Sequence, residues 1–306
     1  MTPPIEHVTS RDGTKIAYRR IGSGPAVVVL HGALATSLSW LAVAQRLADR
    51  FQFFLIDRRG RGGSEYGAPP HSLMREVDDG RALLEVAGPG AALIGHSYGG
   101  AVALELARRV APGEIGHLIV YEPGVNVAGL VPPPQIERIE RYVDSGEFGR
   151  ALDVGVEQLD ATGLVRSDGP VGSRPSAFLE LARTLPREIR AVDELGADLD
   201  RYAAIDVPVL LLVGTASPER QRRNCDALAA ALPNVRVQRL EGLGHVAHNA
   251  DPDQVAAIIG SFLDHRLPDV ARSGAQPGHS DQRPARTSSV GAGGDAEAAA
   301  AVRAPR

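Results

Sequence analysis

The sequence predicts an α/β fold, a doubly wound and mostly parallel sheet that carries an inserted helical cap. Three observations support this. Short apolar runs such as Ala26-Val27-Val28-Val29-Leu30 lack polar alternation, as expected of strands buried on both faces of a parallel sheet. Each run is followed by a stretch with helical spacing. The alternation stops near residue 125 and resumes near residue 207.

Taken in order, residues 7–21 read as a hairpin turning at Asp12-Gly13. Residues 26–30 form the first buried strand. Leu41, Ala44, Leu47 and Ala48 give residues 38–50 a helical stripe. A strand over 51–56, a helix over 72–87, a strand over 91–94, a helix over 98–110 and a strand over 117–121 follow. Residues 125–204 are mostly helical, broken by Pro132-Pro133-Pro134, Gly163 and Gly169, and read as the cap. A strand over 207–213, a helix over 226–232, a strand over 235–240 and a helix over 252–266 complete a core made of residues 1–124 and 205–267. Residues 268–306 are rich in Ala, Gly, Ser, Pro and Arg. They bury too little apolar surface to offset ordering entropy, so a disordered tail is expected.

Composition narrows the function classes. The chain has 306 residues, 43% hydrophobic, with a net charge of -4, so it has enough core for one large domain and no basic surface for nucleic acid. Lys15 is its only lysine and Cys225 its only cysteine, which excludes an internal disulfide. Cys225 lies in an amphipathic stretch and reads as a packed thiol. The start of the chain lacks a basic stretch followed by an apolar one. No apolar run reaches the length of a membrane span. A soluble, cytoplasmic protein is expected, with no membrane partner.

Gly95-His96-Ser97-Tyr98-Gly99 is the most informative motif. Alone, G-x-S-x-G recurs by chance, but here it joins a buried strand to a helix, the setting of a nucleophile elbow. Ser97 is therefore the expected nucleophile. The start of the following helix offers free N–H groups, so the Tyr98 N–H suits a developing oxyanion. A phosphate-binding turn is disfavoured, since no lysine follows and the glycine spacing does not match. A second oxyanion donor is expected after the strand ending at Leu30, where His31-Gly32-Ala33-Leu34 stands. Gly32 lets the backbone turn inward, which points to the Ala33 N–H, with His31 bracing the loop.

A serine needs a base to take its proton. Among nine histidines, His245 is the best placed, in a glycine-rich loop after a late strand. His248 is the runner-up. His7 and His279 fall in the first strand and the tail, and His96 is expected to point away from Ser97.

Val29-Leu30-His31-Gly32, the segment from Asp57-Arg58-Arg59-Gly60 through Arg61-Gly62-Gly63-Ser64, Gly95-His96-Ser97-Tyr98-Gly99-Gly100 and Gly244-His245 occur in this order. The set resembles the α/β-hydrolase family over residues 13–265. The resemblance implies Ser97 as nucleophile, His245 as base, and the N–H groups of Ala33 and Tyr98 as the oxyanion hole. It also implies a structural role for Asp57. One departure is evident. The family's acid usually follows the strand over 207–213, where this chain reads Gly214-Thr215-Ala216-Ser217-Pro218. Some family members place the acid one strand earlier, and here that strand ends in Glu122-Pro123-Gly124. Glu122 is the expected acid and Glu219 the alternative.

The expected activity is hydrolysis of a small or medium carboxylic ester, thioester or amide through an acyl-enzyme, with no metal or organic cofactor. The partner is a small-molecule acyl substrate. Tyr142, Phe148, Leu152, Leu159 and Phe178 either line a pocket or simply pack the cap, and packing is the favoured role. The resemblance leaves open a carbon–carbon hydrolase, a lyase, a cofactor-free haloperoxidase or a silent binding protein. It disfavours dehalogenase and epoxide hydrolase, which use aspartate where Ser97 stands.

Overall fold

A computed structural model describes residues 2–127, 133–159 and 175–264. The expected tail, parts of the expected cap and the Leu159 side chain lie outside the described residues.

Eight strands form one sheet in the order β1-β2-β4-β3-β5-β6-β7-β8. Strands β1 (Ile5–Thr9) and β2 (Lys15–Gly22) make the antiparallel hairpin, and β2 also runs antiparallel to β4 (Gln52–Ile56). From β4 onward the pairs are parallel, through β3 (Ala26–Leu30), β5 (Ala91–His96), β6 (Ile115–Tyr121), β7 (Val209–Gly214) and β8 (Val235–Leu240). The chain steps from β3 outward to β4, then returns past β3 to β5. Such a reversal opens a crevice at the carboxyl ends of the strands.

The unbroken apolar runs supply both faces. Val28, Leu30, Leu93, Leu118, Val120 and Leu211 enter one core layer, beneath α2 (Leu73–Ala87), α3 (Tyr98–Ala107) and α8 (Glu219–Ala231). Their neighbours Val27, Val29, Ile94, Ile119, Leu210 and Leu212 enter the other, against α1 (Leu41–Leu47) and α10 (Pro252–Asp264). Period-two alternation thus feeds two cores rather than one core and solvent.

Between β6 and β7 lie α4 (Pro133–Asp144), α5 (Phe148–Leu159), α6 (Ser176–Leu179) and α7 (Leu185–Leu195). They share a third apolar cluster built on Ile136, Ile139, Leu152, Leu185 and Ile189, joined from the core by Leu34. Leu152 is fully buried there, and Tyr142, Phe148 and Phe178 pack against it.

Most boundaries shift by a few residues; one helix start differs more, and one element was not expected. Helix α8 starts at Glu219 rather than 226. Its first turn is charged, and its buried residues begin only at Asn224 and Cys225, so apolar periodicity could not reveal that turn. Helix α9 (Ala247–Ala250) is a single turn, too short to leave a periodic signal. Among the described residues, no helix is long and apolar enough to cross a membrane.

Candidate active site

Among the described residues, three non-glycine residues have positive φ: Leu34 at 52°, Ser97 at 53° and Glu122 at 40°. Side chains disfavour this region, and such strain persists only where surroundings enforce it, often at functional sites. All three stand just past carboxyl ends of neighbouring strands, β3, β5 and β6.

Ser97 occupies a sharp turn between β5 and α3. Its N–H donates to Tyr121 O at 3.0 Å. Its carbonyl accepts from Gly124 at 2.7 Å and from Gly100 at 2.8 Å. The turn is thereby clamped to the segment after β6. Close packing explains the glycines: a Cβ at Gly99 would collide with the carbonyl oxygens of Leu30 and His31.

Glu122 is completely buried. Its Oε1 accepts from the Gly214 N–H at 2.7 Å, and its Oε2 lies 2.6 Å from His245 Nδ1. Its backbone is held as well, by Leu212 O at 3.1 Å and by the Gln221 amide at 3.0 Å. A carboxylate only accepts, so Nδ1 of His245 carries the hydrogen. Glu219, the alternative acid, pairs instead with Arg223 at the surface, its side chain 67% exposed. Ser217 is buried beside Gly214 with its hydroxyl unpartnered.

The imidazole of His245 is 17% exposed and its loop is braced from below. The Tyr121 hydroxyl donates to Gly244 O and accepts from the Ala247 N–H, the latter at 3.0 Å. His96 Nε2 donates to His245 O at 2.8 Å, and the two rings lie 4.8 Å apart. His248 stacks on Trp40 with centroids 4.7 Å apart. Burial, helped by neighbouring imidazoles, pushes His96 well below the ordinary histidine range and His248 down to about 3. Both rings are thus uncharged at neutral pH.

The β3 loop closes over Ser97. A Cβ at Gly32 would lie 2.9 Å from His96 Nδ1 and 3.0 Å from Ser97 Cβ, so only glycine allows this approach. His31 Nδ1 donates to Gly32 O at 2.8 Å, and its Nε2 accepts from the Arg58 N–H at 3.1 Å. Arg58 donates to His31 O at 2.8 Å and Gly32 O at 3.0 Å. Its guanidinium lies over the Tyr98 ring, 4.5 Å from the centroid. Arg58 is buried and pairs with Glu76 at 2.6 Å and with Glu188 of α7 at 2.9 Å. Arg61 joins Glu188 at 2.8 Å. Burial raises Glu188, yet Arg58 and Arg61 outweigh it and hold the carboxyl down to about 2. Asp57 accepts from the backbone N–H groups of Ser37 at 2.7 Å and Gly63 at 3.1 Å.

The structure therefore brings Glu122 against His245 and ties the Ser97 turn to Tyr121 and Gly124, the residues around Glu122, while Gly32 packs close to Ser97. Glu219 stays at the surface with Arg223, His248 stacks on Trp40 and lies beside His96, and the Cys225 thiol is buried, which raises its pKa. Sequence reasoning gave Tyr121 and Trp40 no role and did not foresee the contacts that His96 and Arg58 make here. Arg58 sits in a recognised motif, but nothing in the chain order shows it reaching Glu76 or Glu188. Among the described residues, no group of three or more His, Cys, Asp or Glu is placed to hold a metal ion.

Comparisons with known proteins agree with this fold. The structure superposes on an α/β hydrolase from Sphaerobacter thermophilus with a TM-score of 0.73 and 33% identity, covering 84% of this chain and all of that one. The sequence is 28% identical over 272 residues to N-formylmaleamate deformylase of Pseudomonas putida, covering 84% of this chain and 96% of the relative. It is 29% identical over 253 residues to pimeloyl-[acyl-carrier protein] methyl ester esterase of Xanthomonas campestris, covering 79% and 96%. The sequence model of the α/β hydrolase family matches residues 27–258, and the chain belongs to that family.

Proposed function

We propose that the chain is a serine hydrolase that cleaves a small or medium carboxylic ester, thioester or amide through an acyl-enzyme on Ser97. One observation carries this reading: a buried carboxylate, Glu122, lies 2.6 Å from His245 Nδ1 beside a serine held at φ 53°. The similar deformylase and methyl ester esterase lend support, as both names describe acyl-group cleavage.

In the proposed mechanism, His245 Nε2 takes the Ser97 proton as the hydroxyl attacks the acyl carbonyl. Glu122 holds the imidazole in the needed tautomer and stabilises its charged form without accepting the proton. The N–H groups of Ala33 and Tyr98 receive the oxyanion. His245 then protonates the leaving group, and water repeats the sequence on the acyl-enzyme. The helices between β6 and β7 shape the pocket as a cap. The substrate is a small molecule met in the cytoplasm, and the steps require no metal or organic cofactor.

The test is covalent labelling with a fluorophosphonate probe, followed by turnover of p-nitrophenyl esters of graded acyl length. The expected outcome is labelling on Ser97. In Ser97→Ala, labelling disappears and turnover falls at least about ten-thousandfold. A folded protein that takes no label and cleaves no ester would be a silent binding protein instead.

A further inference from the structure

One buried guanidinium grips the loop that packs against Ser97. Arg58 Nε donates to His31 O at 2.8 Å, and its Nη2 donates to Gly32 O at 3.0 Å. The planar fork of a guanidinium fixes both carbonyls together, which the single ammonium of a lysine cannot do. Gly32 O also accepts from His31 Nδ1 at 2.8 Å, and His31 Nε2 accepts from the Arg58 N–H at 3.1 Å. The direction of the Gly32 carbonyl is thus set by two donors. The same guanidinium lies over the Tyr98 ring, 4.5 Å from its centroid, so it bears on the Ser97 turn as well.

Fixing a carbonyl also fixes the N–H that follows it. In a planar trans peptide the two point in opposite directions, and the Gly32–Ala33 peptide is trans. With Gly32 O turned to Arg58, the Ala33 N–H points away from the arginine. Among the described residues it meets no backbone acceptor, and neither does the Tyr98 N–H. Backbone donors in a largely buried segment are seldom left unpaired. The next residue, Leu34, is held at φ 52°, a conformation that persists only where its surroundings enforce it.

We propose that Arg58 is a positioning residue: it keeps the Gly32–Ala33 peptide turned so that the Ala33 N–H stays available to the oxyanion formed at Ser97. Arg59, next in the chain, is the internal comparison. It is as buried as Arg58 and also ion-paired. Its guanidinium, however, bonds Asp79, Asp12 and Arg75 O rather than the β3 loop. A merely structural arginine would behave as Arg59 does. The inference rests on the hydrolase reading and adds a residue to which that reading gives no part.

The test compares Arg58→Met, Arg58→Lys and Arg59→Met by kcat and KM for p-nitrophenyl butyrate. Rates are expressed per Ser97 labelled to completion by a fluorophosphonate, so unfolded chain is not counted. Arg58→Met is expected to lower kcat about thirtyfold and Arg58→Lys about tenfold, with KM within about threefold, since an oxyanion contact is made in the transition state. Lysine keeps a positive charge between Glu76 and Glu188, so Arg58→Lys decides the matter if Arg58→Met does not fold. Arg59→Met is expected to lower the urea midpoint and leave kcat within about threefold. Three results overturn the inference: kcat unchanged in Arg58→Lys, a loss carried by KM, or an equal loss of kcat in Arg59→Met. If the unsubstituted chain labels on Ser97 and turns over, those results remove only the role of Arg58. An unsubstituted chain that neither labels nor turns over removes the hydrolase reading, and this inference with it.

Discussion

Two sets of buried carboxylates serve this site, and they differ in their partners. Glu122 faces His245, an imidazole whose charge can change during a reaction. Glu76 and Glu188 face Arg58 and Arg61, whose charges are permanent. In the proposed mechanism, Glu122 stabilises a transient positive charge on the His245 ring. The second set is electrostatically closed, and links α2, α7 and the β3 loop through the guanidinium of Arg58. Burial of an acid therefore does not by itself mark a catalytic role; the proposed mechanism turns on which partner it faces.

Four perturbations can break or sharpen this contrast. The largest effect is expected from Glu122→Gln, which keeps the shape but removes the charge facing His245. Turnover of p-nitrophenyl butyrate should fall about a thousandfold to ten-thousandfold, as when a triad acid becomes its amide. Retained turnover would remove Glu122 from the acid's role.

Glu188→Gln should act on stability instead. It leaves Arg58 and Arg61 buried with one carboxylate fewer, and breaking such a pair costs about 3–5 kcal/mol. Urea unfolding is the measurement, and a midpoint equal to that of the unsubstituted chain would show that the ion cluster is not structural.

A smaller, graded effect concerns acid. His248 titrates at about 3 in the folded chain against 6.5 ordinarily, and His96 is lowered too. Below pH 6.5 the unfolded chain gains protons that the folded chain refuses. Stability is then lost as pH falls from about 6.5 towards 3, by up to about 1.4 kcal/mol per pH unit for each such histidine. Urea midpoints at pH 7.5 and 5.5 should differ in that direction; a flat profile would contradict the neutral, buried assignment.

The smallest effects belong to the neighbouring strand end. Glu219→Gln removes only a surface pair with Arg223, and Ser217→Ala removes an unpartnered hydroxyl. Both should leave kcat within about twofold, since neither group contacts the Glu122–His245 pair. A large loss from Glu219→Gln would transfer the acid's role to the helix start at α8.

Much of the fold was readable from the chain alone. Runs such as Ala26–Leu30 and Val209–Gly214 report burial on both faces locally, because strand periodicity needs only a few residues. Ser97 was readable for a similar reason: elbow, strand and helix are contiguous, and glycines at 95 and 99 mark close packing within the same short segment. His245 followed from its glycine-rich loop at a late strand end.

The rest depended on contacts that sequence order does not encode. Glu122 and His245 are 123 residues apart, and Glu122 was readable only as one of two candidates at adjacent strand ends. Register across β6, β7 and β8 places the Gly214 N–H against Glu122, while Glu219 turns outward on α8. Arg58 and Glu188 are separated by 130 residues, and only packing of α7 against the core shows that their charges cancel. The sequence by itself determined the architecture and picked out Ser97 and His245 as candidates, since each is written in local periodicity or a contiguous turn. The tertiary structure alone decided which carboxylate meets the histidine and which are locked by arginine. Those depend on distances between segments far apart in the chain.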